Sequence, residues 1–366
     1  MKNIKIYIFS ILLVISLVTK SQDPSFSQFY FNQTYFNPAF AGIHGGTNAN
    51  ITYRRQWVNM PSKFETMFFS FDSDISNIRG MGGIGFTAFR DVEGEGFLTT
   101  TGGSLQLNTL ITITHNSFLK LGTEIAIYNK TVDWTGYVFG DQLDPIDPNI
   151  LKPTSFTYPN DQDVIFPDLT FGVLYMFGDG PKRNLLKGNW NGKIGFAVHH
   201  INKPNQSFLG QNSRLPIKIV SHANMSFALD REATMVISPC MVFEWQEVAQ
   251  TEYFGMKTIY GGFNFLWDKF FVGNWVRFME NRDAYILNIG FIGGSDAPRS
   301  DRFKIYYSYD ITISDLNGRD TGGSHEISFA YFFYNSFNEW FNLDKRKRKM
   351  RRISPDKCKF AYWNYN

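Results

Sequence analysis

The chain has 366 residues, a mass of 42.2 kDa, a formal net charge of +3 and a mean hydropathy of −0.23, and 17 % of its residues are aromatic. A polytopic helical membrane protein is excluded, because each spanning helix needs about 20 consecutive apolar residues and no such run follows the first twenty positions. The abundance of Gly, Phe, Tyr, Thr and Asn favours strands and turns, so we predict an all-β chain.

The N-terminus has the layout of a secretory signal. Two lysines precede the apolar run Ile6–Val18, which is short for a spanning helix. Small residues follow at Thr19 and Ser21, so we expect cleavage before Gln22 and removal of residues 1–21. No Cys follows the run, which excludes a lipoprotein anchor at this site. The alternative is an uncleaved membrane anchor.

The next segment, residues 22–45, is strongly aromatic. Phe26, Phe29 and Tyr30 have the i, i+3, i+4 spacing of one helical turn, and Pro38 would end a helix. These side chains need burial, yet the segment lacks the alternation of a strand. We therefore expect it to pack against another part of the fold.

From about residue 46 the sequence alternates with period two. Between Phe303 and Ile311 the odd positions are apolar or aromatic, and the even positions are Lys304, Tyr306, Ser308 and Asp310. About fourteen segments of strand character are bounded by turn residues; they lie near residues 50–57, 63–72, 82–91, 97–113, 118–132, 167–177, 191–200, 215–229, 233–245, 251–265, 270–278, 283–293, 302–312 and 324–333.

Two architectures fit this alternation. A transmembrane antiparallel β-barrel has an even number of strands, an apolar outer face and aromatic girdles, and the aromatic finish of the last segment at Phe332 and Phe333 suits a closing strand. A secreted β-sandwich would instead bury its apolar faces against each other. Export, aromatic content and strand length favour the barrel, with its polar face toward the lumen.

Three motifs contain residue types that are typical of functional sites. Gly80, Gly82 and Gly85 match a dinucleotide-binding pattern, but a strand-like run follows where the pattern needs a helix, so these glycines are expected to relieve crowding in a curved strand. The consecutive residues Ser324–Glu326 alternate sides of a strand and cannot form a catalytic relay. Three aspartates in one loop would suit Ca²⁺, but their spacing matches no EF-hand and favours a solvated loop; they are Asp141, Asp144 and Asp147.

Cysteine and histidine give no metal site. Cys240 and Cys358 either pair or remain small apolar residues. The six histidines are scattered, and the adjacent His199 and His200 would point to opposite faces of a strand. We therefore predict no metal and no cofactor.

Positive charge is concentrated at the C-terminus. Without residues 1–21 the chain has 33 basic and 33 acidic residues, whereas residues 345–366 contain nine basic residues and one acidic residue. Such a block can bind nucleic acid, anionic lipid or an acidic protein surface, or remain solvated; export makes nucleic acid the least expected partner. The candidate contacts for a periplasmic partner are Lys345, Arg346, Lys347, Arg348, Lys349, Arg351 and Arg352.

Several motifs together resemble the PorP/SprF family of type IX secretion system outer-membrane proteins, with a likeness to its SprF-type, gliding-associated members. An opening signature occupies Gln22–Tyr30 and Tyr35–Gly42, and further matching stretches follow in family order at Tyr53–Trp57, Phe139–Pro145, His199–Pro204 and Gly322–Ser328. The resemblance covers residues 22 to about 333. The tail beyond Phe333 departs from it.

The resemblance implies an outer-membrane barrel, surrounded by lipid, that works with the secretion and gliding machinery and delivers or retains a large surface adhesin by binding its C-terminal targeting domain. It supplies no catalytic residues, and we predict that the chain is not an enzyme. The alternatives are a passive porin or solute channel and an outer-membrane lipid hydrolase.

The expected organisation has four parts. Residues 1–21 are the signal peptide, 22–45 a plug in or under the periplasmic mouth, 46–334 the barrel and 335–366 a basic periplasmic tail. The candidate plug residues are Phe26, Gln28, Phe29, Tyr30, Asn37, Pro38 and Phe40.

Overall fold

The computed structural model describes fifteen stretches of the chain; these are residues 24–62, 64–76, 78, 80–94, 98–134, 137–143, 152–157, 163–179, 189–208, 212–230, 234–248, 251–279, 283–294, 301–314 and 318–334. The expected signal peptide and the basic tail lie outside them.

Fourteen antiparallel strands form one closed barrel in which each strand pairs with its neighbours in sequence and β1 pairs with β14. Their bounds are β1 Thr47–Gln56, β2 Phe64–Asp74, β3 Gly83–Glu93, β4 Leu98–Thr114, β5 Ser117–Val132, β6 Asp163–Gly178, β7 Trp190–His199, β8 Lys218–Ala228, β9 Met235–Val248, β10 Thr251–Trp267, β11 Phe270–Met279, β12 Ala284–Gly294, β13 Arg302–Thr312 and β14 Ser324–Phe333. The prediction of a barrel of about fourteen strands is confirmed.

Closure joins the two ends of the strand series in an unbroken register. Thr47 pairs with Phe333 at one end and Gln56 pairs with Ser324 at the other. The aromatic finish of β14 is therefore part of the closing ladder. Closure removes the unpaired strand edges that lipid cannot satisfy.

Burial along β13 separates the barrel from the sandwich. The side chains of Ile305 and Tyr307 are 42 % and 37 % exposed, whereas Tyr306, Ser308 and Asp310 are buried. In a sandwich the apolar set would be buried and the polar set exposed. The outer surface is therefore the apolar wall that a membrane barrel requires, and the polar set faces the lumen.

Strand β6 begins at Asp163, earlier than the sequence predicts, so Pro167 lies inside the strand. Pro167 pairs with Ile127 on β5, but the ladder between β6 and β7 starts only at Phe171. The first part of β6 is thus an edge, where a residue without an N–H group is tolerated.

The two ends of the barrel differ in their connections. The chain enters β1 and leaves β14 at the same end of the barrel, and two short turns lie at that end, residues 115–116 and 268–269. The longest connections, residues 133–162 and 200–217, lie at the opposite end. Since outer-membrane barrels have short periplasmic turns and longer extracellular loops, we take the loop end as extracellular.

Helical structure among the described residues is short. Helix α1 spans Gln33–Phe36, 3-10 turns span Pro38–Phe40 and Gly140–Gln142, and helix α2 spans Gly318–Thr321. Within the part of the chain that the structure describes, none of the helices has the length and apolarity needed to cross a membrane.

Candidate functional site

Residues 24–45, called here the N-terminal segment, run through the lumen from the loop end to the short-turn end. Near its start, Ser27 contacts the last residues of β13 and the first residues of β14. Near its end, Gly42 contacts Asp72 at the end of β2. The segment therefore crosses the interior of the barrel.

The start of the segment is held by buried carboxylates. The backbone N–H groups of Ser27 and Gln28 donate to the two oxygens of Glu326 at 2.7 and 3.2 Å. The Ser27 hydroxyl donates to Asp310 Oδ2 at 2.7 Å, and the Gln28 amide donates to Ser308 Oγ at 2.8 Å. Hydrogen bonds to charged acceptors are stronger than neutral ones, so this contact fixes the segment to β13 and β14.

Two arginines balance these carboxylates. Arg54 Nη2 lies 3.4 Å from Asp310 Oδ2 and Arg54 Nε lies 3.6 Å from Glu326 Oε2, while Arg277 Nη1 lies 3.1 Å from Asp310 Oδ2. All four side chains are almost fully buried. Buried charges persist only when they are paired, so the lumen carries a compact ionic network under the segment.

The middle of the segment turns at Asn37. Its extended backbone ends α1 before Pro38, as expected for a residue that precedes proline. Asn37 Oδ1 accepts from Ala39 N at 2.9 Å, and Nδ2 donates to the Val173 carbonyl of β6 at 3.0 Å. A Cβ atom on Gly172 would overlap the Asn37 side-chain oxygen. This strand glycine makes room for the turn.

The end of the segment is fixed near the short-turn end. Its Ala41 carbonyl accepts from Lys120 Nζ at 2.7 Å and from Asn108 Nδ2 at 2.8 Å. The Gly42 N–H donates to Asp72 Oδ2 at 2.8 Å. The segment is thus bonded at its start, middle and end to inward-facing groups of different strands.

Part of the lumen wall is apolar, which the expectation of a polar lumen face did not include. Tyr30 packs at ring-centroid distances of 5.2 Å from Phe271, 5.8 Å from Trp275 and 5.9 Å from Tyr306. The buried residues of this wall also include Val242 of β9. Aromatic packing and polar anchoring therefore come from the same strands, because Tyr306 shares β13 with Asp310 and Trp275 shares β11 with Arg277.

The predicted plug residues are all buried and lie in this one segment; they are Phe26, Gln28, Phe29, Tyr30, Asn37, Pro38 and Phe40. The predicted helical turn is displaced, because hydrogen-bonded turns occupy residues 29–31 and the helix begins at Gln33. Arg54, Asp310 and Glu326 are not among the predicted site residues. Their only signal is that they are charged residues on the lumen face of an alternating strand.

The glycines between β2 and the middle of β3 have different surroundings. Gly80 has a φ of +83° in the turn, and a strand rather than a helix follows. A Cβ on Gly83 would overlap the Ala41 carbonyl, and one on Gly85 would lie 3.1 Å from the Ala41 Cβ. Among the motif glycines, only Gly85 approaches the N-terminal segment, since a Cβ on Gly82 would meet Asn108 of β4 and one on Gly80 would meet nothing within 4 Å.

Above the segment, a cavity called here the vestibule lies at the loop end. Pro24 and Tyr35 of the N-terminal segment form part of its floor. The charged and histidine side chains that line it are Asp91, Glu93, Glu124, Lys130, Asp168, His199, His200 and Lys218.

His199 and His200 both line the vestibule, so the expectation that they point to opposite faces is wrong. His199 ends β7, and its Nε2 lies 3.1 Å from the Phe36 carbonyl. His200 follows with a φ of +58°, which turns its side chain back toward Asp168, with Nδ1 3.0 Å from Oδ2. Strand alternation does not extend past the end of the strand.

An aromatic cluster lies on the loop that follows β5. Phe139 and Phe156 stack at 4.5 Å, and Trp134 lies 5.9 Å from Phe156. Asp141 Oδ2 accepts from the Ser155 backbone N–H at 2.6 Å, and this bond holds the pKa of the Asp141 carboxyl below its ordinary value. Asp141 therefore ties the two ends of the loop together. Asp144 and Asp147 lie outside the described residues.

The fold places the consecutive residues Ser324, His325 and Glu326 on two different faces of the barrel wall. Ser324 and Glu326 face the lumen, whereas His325 lies on the outer face with its Nδ1 2.6 Å from the Tyr307 hydroxyl. Among the described residues, no three His, Cys, Asp or Glu side chains are placed to hold a metal ion. Cys240 is a buried thiol, and Cys358 and the seven basic tail residues lie outside the described stretches.

Solved structures with a similar fold include membrane channels. The CymD monoaromatic hydrocarbon channel is 11 % identical, with a TM-score of 0.44 over 84 % of this chain and 93 % of that one. A Pseudomonas aeruginosa FadL homologue is 10 % identical, with a TM-score of 0.39 over 78 % and 88 %. The KdgM porin is 6 % identical, with a TM-score of 0.36 over 78 % and 99 %.

No curated protein sequence matches the chain. The family model described as "Type IX secretion system membrane protein PorP/SprF" matches residues 18–331, which is most of the chain and includes every strand except the last two residues of β14. The chain belongs to the PorP/SprF family of type IX secretion system membrane proteins, and it is a 14-stranded β-barrel of the outer membrane.

Proposed function

We propose that this barrel binds the C-terminal targeting domain of a large secreted adhesin at the cell surface and holds it for the secretion and gliding machinery. The observation that carries the proposal is the filled lumen: the N-terminal segment is hydrogen-bonded to β13, β14, β2, β4, β5 and β6. A barrel with such an interior is suited to binding at its ends rather than to passing solutes.

The loop end offers a surface for such a partner. Tyr137 adjoins the aromatic cluster, with its ring centroid 6.1 Å from that of Trp134. Tyr137 and Phe156 are each 39 % exposed, next to the exposed Val138 and Leu143. Exposed apolar patches rimmed by polar residues mark protein-binding surfaces. The Asp141 bonds to Thr154 and Ser155 connect the two parts of the loop that carry these exposed groups.

Capture of C-terminal domains tests the proposal. The targeting domains of secreted adhesins, each fused to a fluorescent protein, are incubated with the purified barrel in detergent. We expect at least one domain to be retained, and we expect the double variant Tyr137→Ser, Phe156→Ser to reduce retention about tenfold, the effect of losing about 1.4 kcal/mol. Exposed Ile327→Ser on the outer wall is the control. Failure to retain any domain, together with channel activity of the barrel, would support the porin instead.

The basic tail is proposed to contact periplasmic partners. Strand β14 ends at the short-turn end of the barrel, so the chain beyond Phe333 begins on the periplasmic side. Replacement of the seven basic residues between Lys345 and Arg352 with Gln is expected to impair adhesin delivery while the barrel still assembles. A variant that exchanges Lys and Arg at the same positions keeps the charge and is expected to deliver normally. Normal delivery by the neutral variant would refute a charge-dependent contact.

A further inference from the structure

Carboxylates outnumber lysines among the side chains that line the vestibule. The carboxylates are Asp91, Glu93, Glu124 and Asp168, and the lysines are Lys130 and Lys218. Lys130 Nζ donates to Gln206 Oε1 at 3.1 Å, and Lys218 Nζ lies 3.3 Å from Glu244 Oε2. The lining of the vestibule is therefore more acidic than basic.

One of these carboxylates has an unused oxygen. Asp168 is 2 % exposed; its Oδ2 faces His200, and its Oδ1 has no hydrogen-bond partner among the described residues. Glu124, on the neighbouring strand, also lines the vestibule, and one of its oxygens accepts from Gln106. A buried carboxylate oxygen without a donor is costly, so this position favours a ligand that supplies N–H groups.

Aromatic rings form the wall beside these carboxylates. Tyr128 lies 5.2 Å from Phe89 and 5.7 Å from Phe166 between ring centroids, and all three line the vestibule. Ring faces attract ammonium and guanidinium groups, and carboxylates form their strongest hydrogen bonds with the same groups. The carboxylates and the aromatic rings therefore both favour a ligand with an ammonium or guanidinium group.

We infer that the vestibule binds a lysine or arginine side chain of the protein segment that the barrel receives at its extracellular end, with Asp168 and Glu124 as the carboxylate partners and Phe89, Tyr128 and Phe166 as the ring wall. The inference rests on the proposed function for the identity of the segment. The preference for a cationic side chain rests on the vestibule alone.

Peptide binding to the purified full-length barrel in detergent tests the inference. Capped tri-lysine and tri-arginine are titrated by calorimetry at low salt, with capped tri-glutamate as the charge control. We expect binding of both cationic peptides and none of tri-glutamate. Asp168→Asn and Glu124→Gln, which keep side-chain size, are expected each to weaken binding about tenfold. Asp163→Asn, an exposed change at the start of the same strand, is expected to leave affinity unchanged.

Two outcomes overturn the inference: no cationic peptide binds the wild-type barrel, or folded Asp168→Asn and Glu124→Gln barrels bind as the wild type does. Heat-modifiable migration on gels verifies that each variant is folded. Failure of the proposed function gives a different result. No adhesin domain is then retained, while peptide binding still depends on Asp168. If domains are retained equally by wild type and Asp168→Asn and peptide affinity is unchanged, the function stands and the cation site is wrong.

Discussion

Deletion of residues 24–45 is expected to convert the barrel from a closed to a conducting state. A barrel of 14 strands approaches the porins of 16–18 strands, which enclose an aqueous channel, and here the N-terminal segment occupies that space. Phe26, Phe29, Phe36 and Phe40 are all buried. In planar bilayers we expect the wild type to remain near baseline and the deletion to show porin-like conductance. Equal conductance would contradict the view that the segment is a plug.

A point substitution displaces the segment without removing it. Gly172→Leu places a side chain where Asn37 and Pro38 now lie, so we expect intermediate conductance in a barrel that still assembles. Gly261→Leu is the matched control, because a Cβ at Gly261 meets nothing within 4 Å. Raised conductance in both variants would indicate general damage to the wall rather than displacement of the segment.

Removal of Arg54 is expected to cause the largest loss of stability. Arg54→Met leaves Glu326 buried with its guanidinium partner gone and leaves Asp310 with Arg277 alone. Breaking a buried ion pair typically costs about 3–5 kcal/mol. Urea unfolding of the barrel in lipid vesicles measures this loss, and the expected shift is to lower urea concentration. The double variant Arg54→Met, Glu326→Gln should recover part of the stability, because the unpaired charge is then absent.

The adjacent residue provides the control. Arg55 Nε lies 3.9 Å from Glu65 Oε1, and the two side chains are 46 % and 32 % exposed. Exposed pairs contribute about 0–1 kcal/mol, so Arg55→Met should unfold close to the wild type. Similar losses in Arg54→Met and Arg55→Met would show that the lumen network does not stabilise the barrel more than a surface pair does.

Much of the barrel wall was predictable from local pattern. Each strand must present apolar groups to the outside and smaller or polar groups to the inside, and this demand repeats every second residue. The alternation of Ile305 and Tyr307 with Ser308 and Asp310 therefore encodes the wall directly. The family motifs follow the same chain order and gave the same assignment.

Contacts across the lumen were not predictable in this way. Ser27 and Glu326 are 299 positions apart, and no periodicity relates them. The same is true of His200, whose left-handed backbone brings it back to Asp168 against the alternation of β7.

The sequence by itself predicted the strand number and favoured a membrane barrel, because lipid and lumen act on the two faces of every strand separately, and its motifs indicated the family. Only the tertiary structure decided that residues 24–45 fill the lumen, that Arg54 balances their carboxylate anchors and that Asp168 faces a vestibule. These features arise when closure of the sheet brings distant strands around one interior. The sequence of a single strand does not indicate which side chains of other strands it will contact there.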